Sequence, residues 1–159
     1  MIVIDTSVIY ALLDGGDANH EKAAAWYTQH HPALATTPLI LAEVDHLAGA
    51  RAGRRAQQAW RKDLADGVYD VHWWSTASND IAEIAEQYGD LGVGLADASL
   101  VALAARLETV NIATFTNVTS APCDPKPAEP PSGYSPTTPF ESRHLLDPAA
   151  ASFINLRSS

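Results

Sequence analysis

Three acids in this chain stand where solubility alone does not explain them. Asp5 ends the apolar run Met1-Ile2-Val3-Ile4 and is followed by two hydroxyl residues, Thr6 and Ser7. Glu43 interrupts the apolar stretch 39–47, and Asp97 stands at the head of the apolar stretch 95–105. Each has an ordinary explanation: Asp5 as a helix cap, Glu43 as an exposed helix residue, Asp97 as an acid favoured by a helix dipole. Taken together they suggest a shared cation. Carboxylate oxygens without Cys or clustered His suit a hard divalent ion, Mg²⁺ or Mn²⁺. Such an ion is commonly held by a few carboxylates plus a substrate phosphate. The matching chemistry is phosphodiester hydrolysis, in which the metal activates water, orients the phosphate and stabilises the leaving oxygen. No His or Cys nucleophile arrangement and no Gly-rich phosphate loop competes with it.

The elements that must position these acids follow from apolar patterning. The first run reads as a buried strand, which puts Asp5 at its carboxyl end, where ligands bind in open α/β sheets. Thr6 and Ser7 are candidates to start the next helix, about 8–13, by accepting from its free N–H groups. Asn19 would cap a second helix to about residue 30, with Ala23, Trp26 and Tyr27 as its apolar stripe. A short strand at 34–37 leads to Pro38, suited to a first helical turn, and a helix over 39–47. A carboxylate such as Glu43 is costly to bury there without a cation or a donor. Gly53 separates this helix from one at 54–66. A strand is expected at 69–74, a helix at 79–88, a loop at 89–94, a buried helix at 95–105 and a strand at 110–115. Helices alternating with short apolar strands predict an α/β layered domain with a mostly parallel sheet.

Composition bounds the rest. The 159 residues fit one domain, and no apolar run approaches the ~18 residues of a membrane span. The start of the chain lacks the basic segment of a signal peptide. A single cysteine, Cys123, excludes an intrachain disulfide and fits a reducing cytosol. The net charge of −9 argues against binding a polyanion through overall charge, so cations or a local basic patch must offset it. Arg51, Arg54, Arg55, Arg61 and Lys62 hold half of the ten Lys and Arg, and form either such a patch or a solvated helix face. Residues 116–140 contain seven of the ten prolines, which rules out a helix or central strand there. This stretch reads as an extended insertion, followed by a short helix at 141–146 and a last strand at 151–156.

Three segments, Ile2-Val3-Ile4-Asp5-Thr6-Ser7, Pro38-Leu39-Ile40-Leu41-Ala42-Glu43-Val44 and Gly94-Leu95-Ala96-Asp97-Ala98-Ser99-Leu100, resemble the motifs of PIN-domain ribonucleases. The match is nearest to the VapC toxins of bacterial toxin–antitoxin pairs. It implies a PIN-like three-layer domain, a central mostly parallel sheet flanked by helices, with an acidic pocket for Mg²⁺ or Mn²⁺. It also implies RNA such as tRNA or ribosomal RNA as substrate, a VapB-type antitoxin as partner, and a homodimer. On that basis Asp5, Glu43 and Asp97 become the catalytic metal-site acids, Thr6 and Ser7 orient Asp5, and Asp90 is a weaker candidate at the pocket rim. Arg54, Arg55 or Arg143 would hold the RNA backbone. The antitoxin would lay an apolar helix against Trp26, Trp60 or the Leu12–Leu13 surface.

The family's usual fourth acid follows the strand that here ends Ala113-Thr114-Phe115, yet Thr116 stands there. Beyond the proline-rich stretch, Phe140-Glu141-Ser142-Arg143-His144-Leu145 fits the interrupted motif, so residues 116–140 read as an insertion between its halves. Glu141 would then replace the missing acid by resemblance, with Asp124 as a rival. A Glu is one methylene longer, enough to displace a ligand beyond the ~0.5 Å tolerance of such sites. A PIN-fold protein of impaired activity, kept as a binding partner, is the competing reading. A phosphatase with Asp5 as nucleophile ranks last, since it needs an acid at position 7.

Overall fold

The computed structural model describes residues 1–30 and 33–115 together with the backbone of Ser152–Asn155. The proline-rich 116–140 and the expected helix at 141–146, with Asp124, Glu141 and Arg143, lie outside the described residues.

Five strands form one parallel sheet: β1 (Ile2–Ile4), β2 (Leu34–Thr36), β3 (Tyr69–Val71), β4 (Asn111–Thr114) and β5 (Ser152–Asn155), in the order β3-β2-β1-β4-β5. The helices are α1 (Thr6–Leu13), α2 (His20–His30), α3 (Pro38–Leu47), α4 (Arg54–Ala65), α5 (Ala77–Gln87) and α6 (Leu95–Arg106). Among the described residues none is long and apolar enough to cross a membrane. Parallel pairing requires a crossover between successive strands, and helices supply it from β1 through to β4. The chain leaves β1 toward β2 and β3, then returns to add β4 on the other side. The β1/β4 junction is therefore the topological switch point, outside whose carboxyl ends a crevice opens.

The inner strands β1, β2 and β4 are mostly apolar because the sheet is covered on both faces there, whereas Asp70 and Val71 of the edge strand β3 are exposed. Val3, Ile4, Ala35 and Ala113 are completely buried and Ile112 nearly so. Helix α6 buries Ala98, Ser99, Leu100, Ala102, Leu103 and Ala104, as its nearly unbroken apolar sequence requires. Helix α3 buries only Ile40 and Val44, so Glu43 projects from its exposed side. The burial cost expected for Glu43 is not incurred.

Three further expectations change. The strand expected at 69–74 stops at Val71; the His72 N–H still donates to the Thr36 carbonyl at 2.9 Å, and beyond it Trp74 joins the core while Trp73 stays half exposed. Helix α3 does not end at Leu47 but runs into a π-helical turn, Ala48–Ala52, which Gly53 closes at φ 85°. Trp26 and Trp60 are core residues, 8% and 0% exposed. Trp60 packs its ring 5.2 Å from that of Tyr69. Neither is a docking surface, whereas Leu12 and Leu13 remain partly exposed.

Candidate active site

Asp5 occupies the N-cap position of α1 with extended backbone, φ −88° and ψ 156°, yet its side chain makes no capping hydrogen bond. The carboxylate has other partners. The Ser7 hydroxyl donates to Asp5 Oδ2 at 2.6 Å, and the Thr114 hydroxyl donates to the same oxygen at 2.8 Å. The Phe115 N–H donates in turn to Ser7 Oγ at 3.0 Å. Thr6 and Ser7 do not start the helix as caps either. They are its first two residues, and their hydroxyls point at acids, since Thr6 Oγ1 donates to Glu43 Oε2 at 2.6 Å. The strand end, the first turn of α1 and the middle of α3 are thereby joined through carboxylates in addition to the apolar core they share.

Helix α6 enters from the other side. Thr37, at the N-cap of α3, makes no capping bond but shares a buried 2.7 Å hydrogen bond with Ser99, whose hydroxyl also lies 2.6 Å from the Ala96 carbonyl oxygen. This link fixes the start of α6 against the start of α3. Asp97, in the first turn of α6, accepts from the Gly94 N–H, as an acid three residues past the N-cap commonly does. Its carboxyl is held above the ordinary Asp value, first by burial and then by the negative charge of Asp5, with Glu43 adding to it. The Gly94 bond opposes that rise.

Asp5, Glu43 and Asp97 line one cleft of about 600 Å³ with Thr6, Ser7 and Phe115. The cleft opens at the β1/β4 switch point and continues past Tyr10, Asp17, Asn19, Leu47 and Arg51. Of the other residues singled out in the sequence, Asp90 sits on a 3₁₀ turn, Gly89–Leu91, and Arg54 and Arg55 open α4. All three are exposed, and none belongs to the lining. The sequence offered Arg54 and Arg55 for the RNA backbone, whereas the arginine in the cleft lining is Arg51, three residues before Arg54. Arg51 is the basic residue in the cleft wall, and the π-helical turn that carries it has no local sequence signal.

Among the described residues no three His, Cys, Asp or Glu side chains are arranged to grip one ion directly. The donor chemistry nevertheless fits a hard cation. Three carboxyl groups face the same space, and the mutual repulsion that raises Asp97 is the kind that a divalent ion relieves.

A model of the PIN domain family matches residues 2–117, spanning all three acidic segments. The chain belongs to the PIN-domain family. Ribonuclease VapC26 of Mycobacterium tuberculosis is 32% identical to this PIN domain over 115 residues, 72% of this chain and 85% of that protein. The crystal structure of M. tuberculosis VapC20, described as a sarcin-ricin loop cleaving toxin, is similar with a TM-score of 0.66 at 26% identity. The match covers 70% of this chain and 87% of that chain. FitAcB from Neisseria gonorrhoeae, with a TM-score of 0.53 and 18% identity over 73% and 88% of the two chains, shares the fold. The family match ends beside Thr116, where the PIN domain departs from the acid expected by resemblance.

Proposed function

We propose that this PIN domain is an Mg²⁺- or Mn²⁺-dependent endoribonuclease toxin that hydrolyses phosphodiester bonds in tRNA or ribosomal RNA and is paired with a VapB-type antitoxin. The observation that carries the reading is the meeting of Asp5, Glu43 and Asp97 in one cleft, with Asp5 held by two hydroxyl donors. Proteins similar to it include one named as a ribonuclease and one described as a sarcin-ricin loop cleaving toxin.

The residues divide the work. Ser7 and Thr114 both donate to Asp5 Oδ2, which leaves Oδ1 without a hydrogen bond among the described residues and available to a ligand. Thr6 fixes Glu43 on the opposite wall. Asp97 closes the set from α6, and Glu141 is proposed as a fourth donor. A divalent ion held by these carboxylates supplies activation of water and stabilisation of charge on the phosphate. The family's habit of pairing suggests a homodimer, and the part-exposed Leu12–Leu13 surface offers the antitoxin an apolar contact.

Cleavage of RNA should require added Mg²⁺ or Mn²⁺, stop with EDTA, and vanish in Asp5→Asn. A second reading, a PIN fold of impaired activity kept for binding, draws on Thr116 at the fourth position and on the lack of a preformed three-ligand set among the described residues. Equal background cleavage by the native chain and Asp5→Asn would select it.

A further inference from the structure

The cleft is longer than its acids need. Beyond Asp5 it runs between the side of α1, the start of α2 and the π-helical turn, where Tyr10, Asn19 and Arg51 join its wall. These three supply an aromatic ring, a carboxamide and a guanidinium, groups that recognise a base and its phosphate.

Each is held in place or left free in a way that favours a ligand. The Tyr10 hydroxyl donates to Asp14 Oδ2 at 2.8 Å, which pins the ring. The Asn19 side chain is half buried, and its carboxamide makes no hydrogen bond among the described residues. Its backbone N–H, by contrast, is tied to Asp17 Oδ1 at 2.8 Å. Arg51 forms no ion pair among the described residues, although Asp5, Asp17, Glu43 and Asp97 line the same cleft. Its turn is not a free loop. Gln57 donates to both the carbonyl and the carboxylate of Asp45, and Arg61 grips the Asp45 carboxylate with two bonds of 2.8 Å. A Cβ at Gly49 would lie 2.8 Å from Gln57 Nε2, so the turn is seated directly on α4.

We infer that Tyr10, Asn19 and Arg51 form the subsite for the nucleotide next to the phosphate under attack, Arg51 binding that nucleotide's phosphate and Asn19 reading its base. This rests on the ribonuclease reading and adds where the strand lies. An acidic cleft repels RNA, and one unpaired guanidinium in the same lining gives a neighbouring phosphate a favoured place. A carboxamide presents a donor and an acceptor together, so it distinguishes base edges.

The test is binding of labelled homopolymeric single strands of A, C and U to the full chain carrying Asp5→Asn, with Mn²⁺ present, by fluorescence anisotropy. Adding Arg51→Ala should weaken every strand about tenfold and flatten the slope of log affinity against log salt by about 0.7, the share of one phosphate contact. Arg51→Lys should keep most of that slope. Asn19→Ala should change the ratio of affinities among the three strands and leave the slope alone. Lys62→Ala, removing the same charge from outside the cleft, should do neither. The subsite is overturned if Arg51→Ala binds with the parent's affinity and slope, if Lys62→Ala loses as much, or if the parent binds no RNA. An unchanged base ratio in Asn19→Ala overturns the base-reading role. An Arg51 that serves an acidic antitoxin side chain instead gives the first of these results. Cleavage by the chain with Asp5 intact tests the ribonuclease reading separately.

Discussion

The Thr114 hydroxyl donates to Asp5 Oδ2 at 2.8 Å, joining residues 109 positions apart. The bond runs between the carboxyl ends of β4 and β1, neighbours in the sheet at its switch point. Thr114 is buried, 4% exposed, and Asp5 is 7% exposed. A buried carboxylate depends on such donors. Thr114→Val, which keeps the shape and removes the hydroxyl, should therefore cost about 1–3 kcal/mol in chemical denaturation. RNA cleavage or Mn²⁺ affinity should fall about 10–100-fold. Thr114→Ser should restore most of both. Wild-type cleavage and Mn²⁺ affinity in the Val variant would show that Ser7 alone orients Asp5.

Thr6 and Glu43 form a different kind of pair. Thr6 is buried, but its acceptor is exposed. Water can replace the lost hydroxyl at Glu43, so Thr6→Val should change stability by no more than about 1 kcal/mol. Activity should still drop about tenfold, because the position of Glu43 is then no longer fixed. Measuring the melting temperature and kcat on the same preparation separates the two effects.

Asp97 gives the cleft a pH signature. Burial, together with the charges of Asp5 and Glu43, holds its carboxyl above the ordinary Asp value. The folded chain then binds this proton more tightly than the unfolded chain. Stability falls as pH rises through the interval between the unfolded and folded pKa, and the full cost persists above it. Asp97→Asn should thus raise Tm at neutral pH, with the gain shrinking toward about pH 4. Mn²⁺ should raise Tm of the native chain more than that of Asp97→Asn. A variant that melts below the native chain at neutral pH would contradict the repulsion.

Trp60 is completely buried against Tyr69 on a helix that buries nothing else fully. Trp60→Ala should destabilise the chain by about 3–5 kcal/mol through the cavity left behind. Trp73→Ser, at a half-exposed ring, should stay within about 0.5 kcal/mol. Urea titrations of the two variants make the comparison. Any loss of antitoxin binding by Trp60→Ala should then track its unfolded fraction.

Periodicity and composition were enough to place β1, α3, α6 and β4, because whether an element is buried on one side, or on all sides, is written in its own residues. The apolar run into Asp5 and the acid at the head of a nearly all-apolar helix were legible for that reason, and the three acidic segments carried the family resemblance. Boundaries were less so: nothing local distinguishes the π-helical turn after Leu47 from a helix end, and the aromatic run through Trp74 hid the end of the strand at Val71.

The partners of each side chain were settled only by the fold. Thr114 meets Asp5 because β4 lies beside β1, a choice of strand order that no window of sequence contains. Asp5 reads equally well as a helix cap until Ser7 and Thr114 are seen to claim its carboxylate. Arg51, Arg54 and Arg55 are alike in sequence, and only the folded position of the π-helical turn puts Arg51, but not Arg54 or Arg55, in the lining that holds the acids. Local pattern records how much of an element is covered; long-range packing alone records by what.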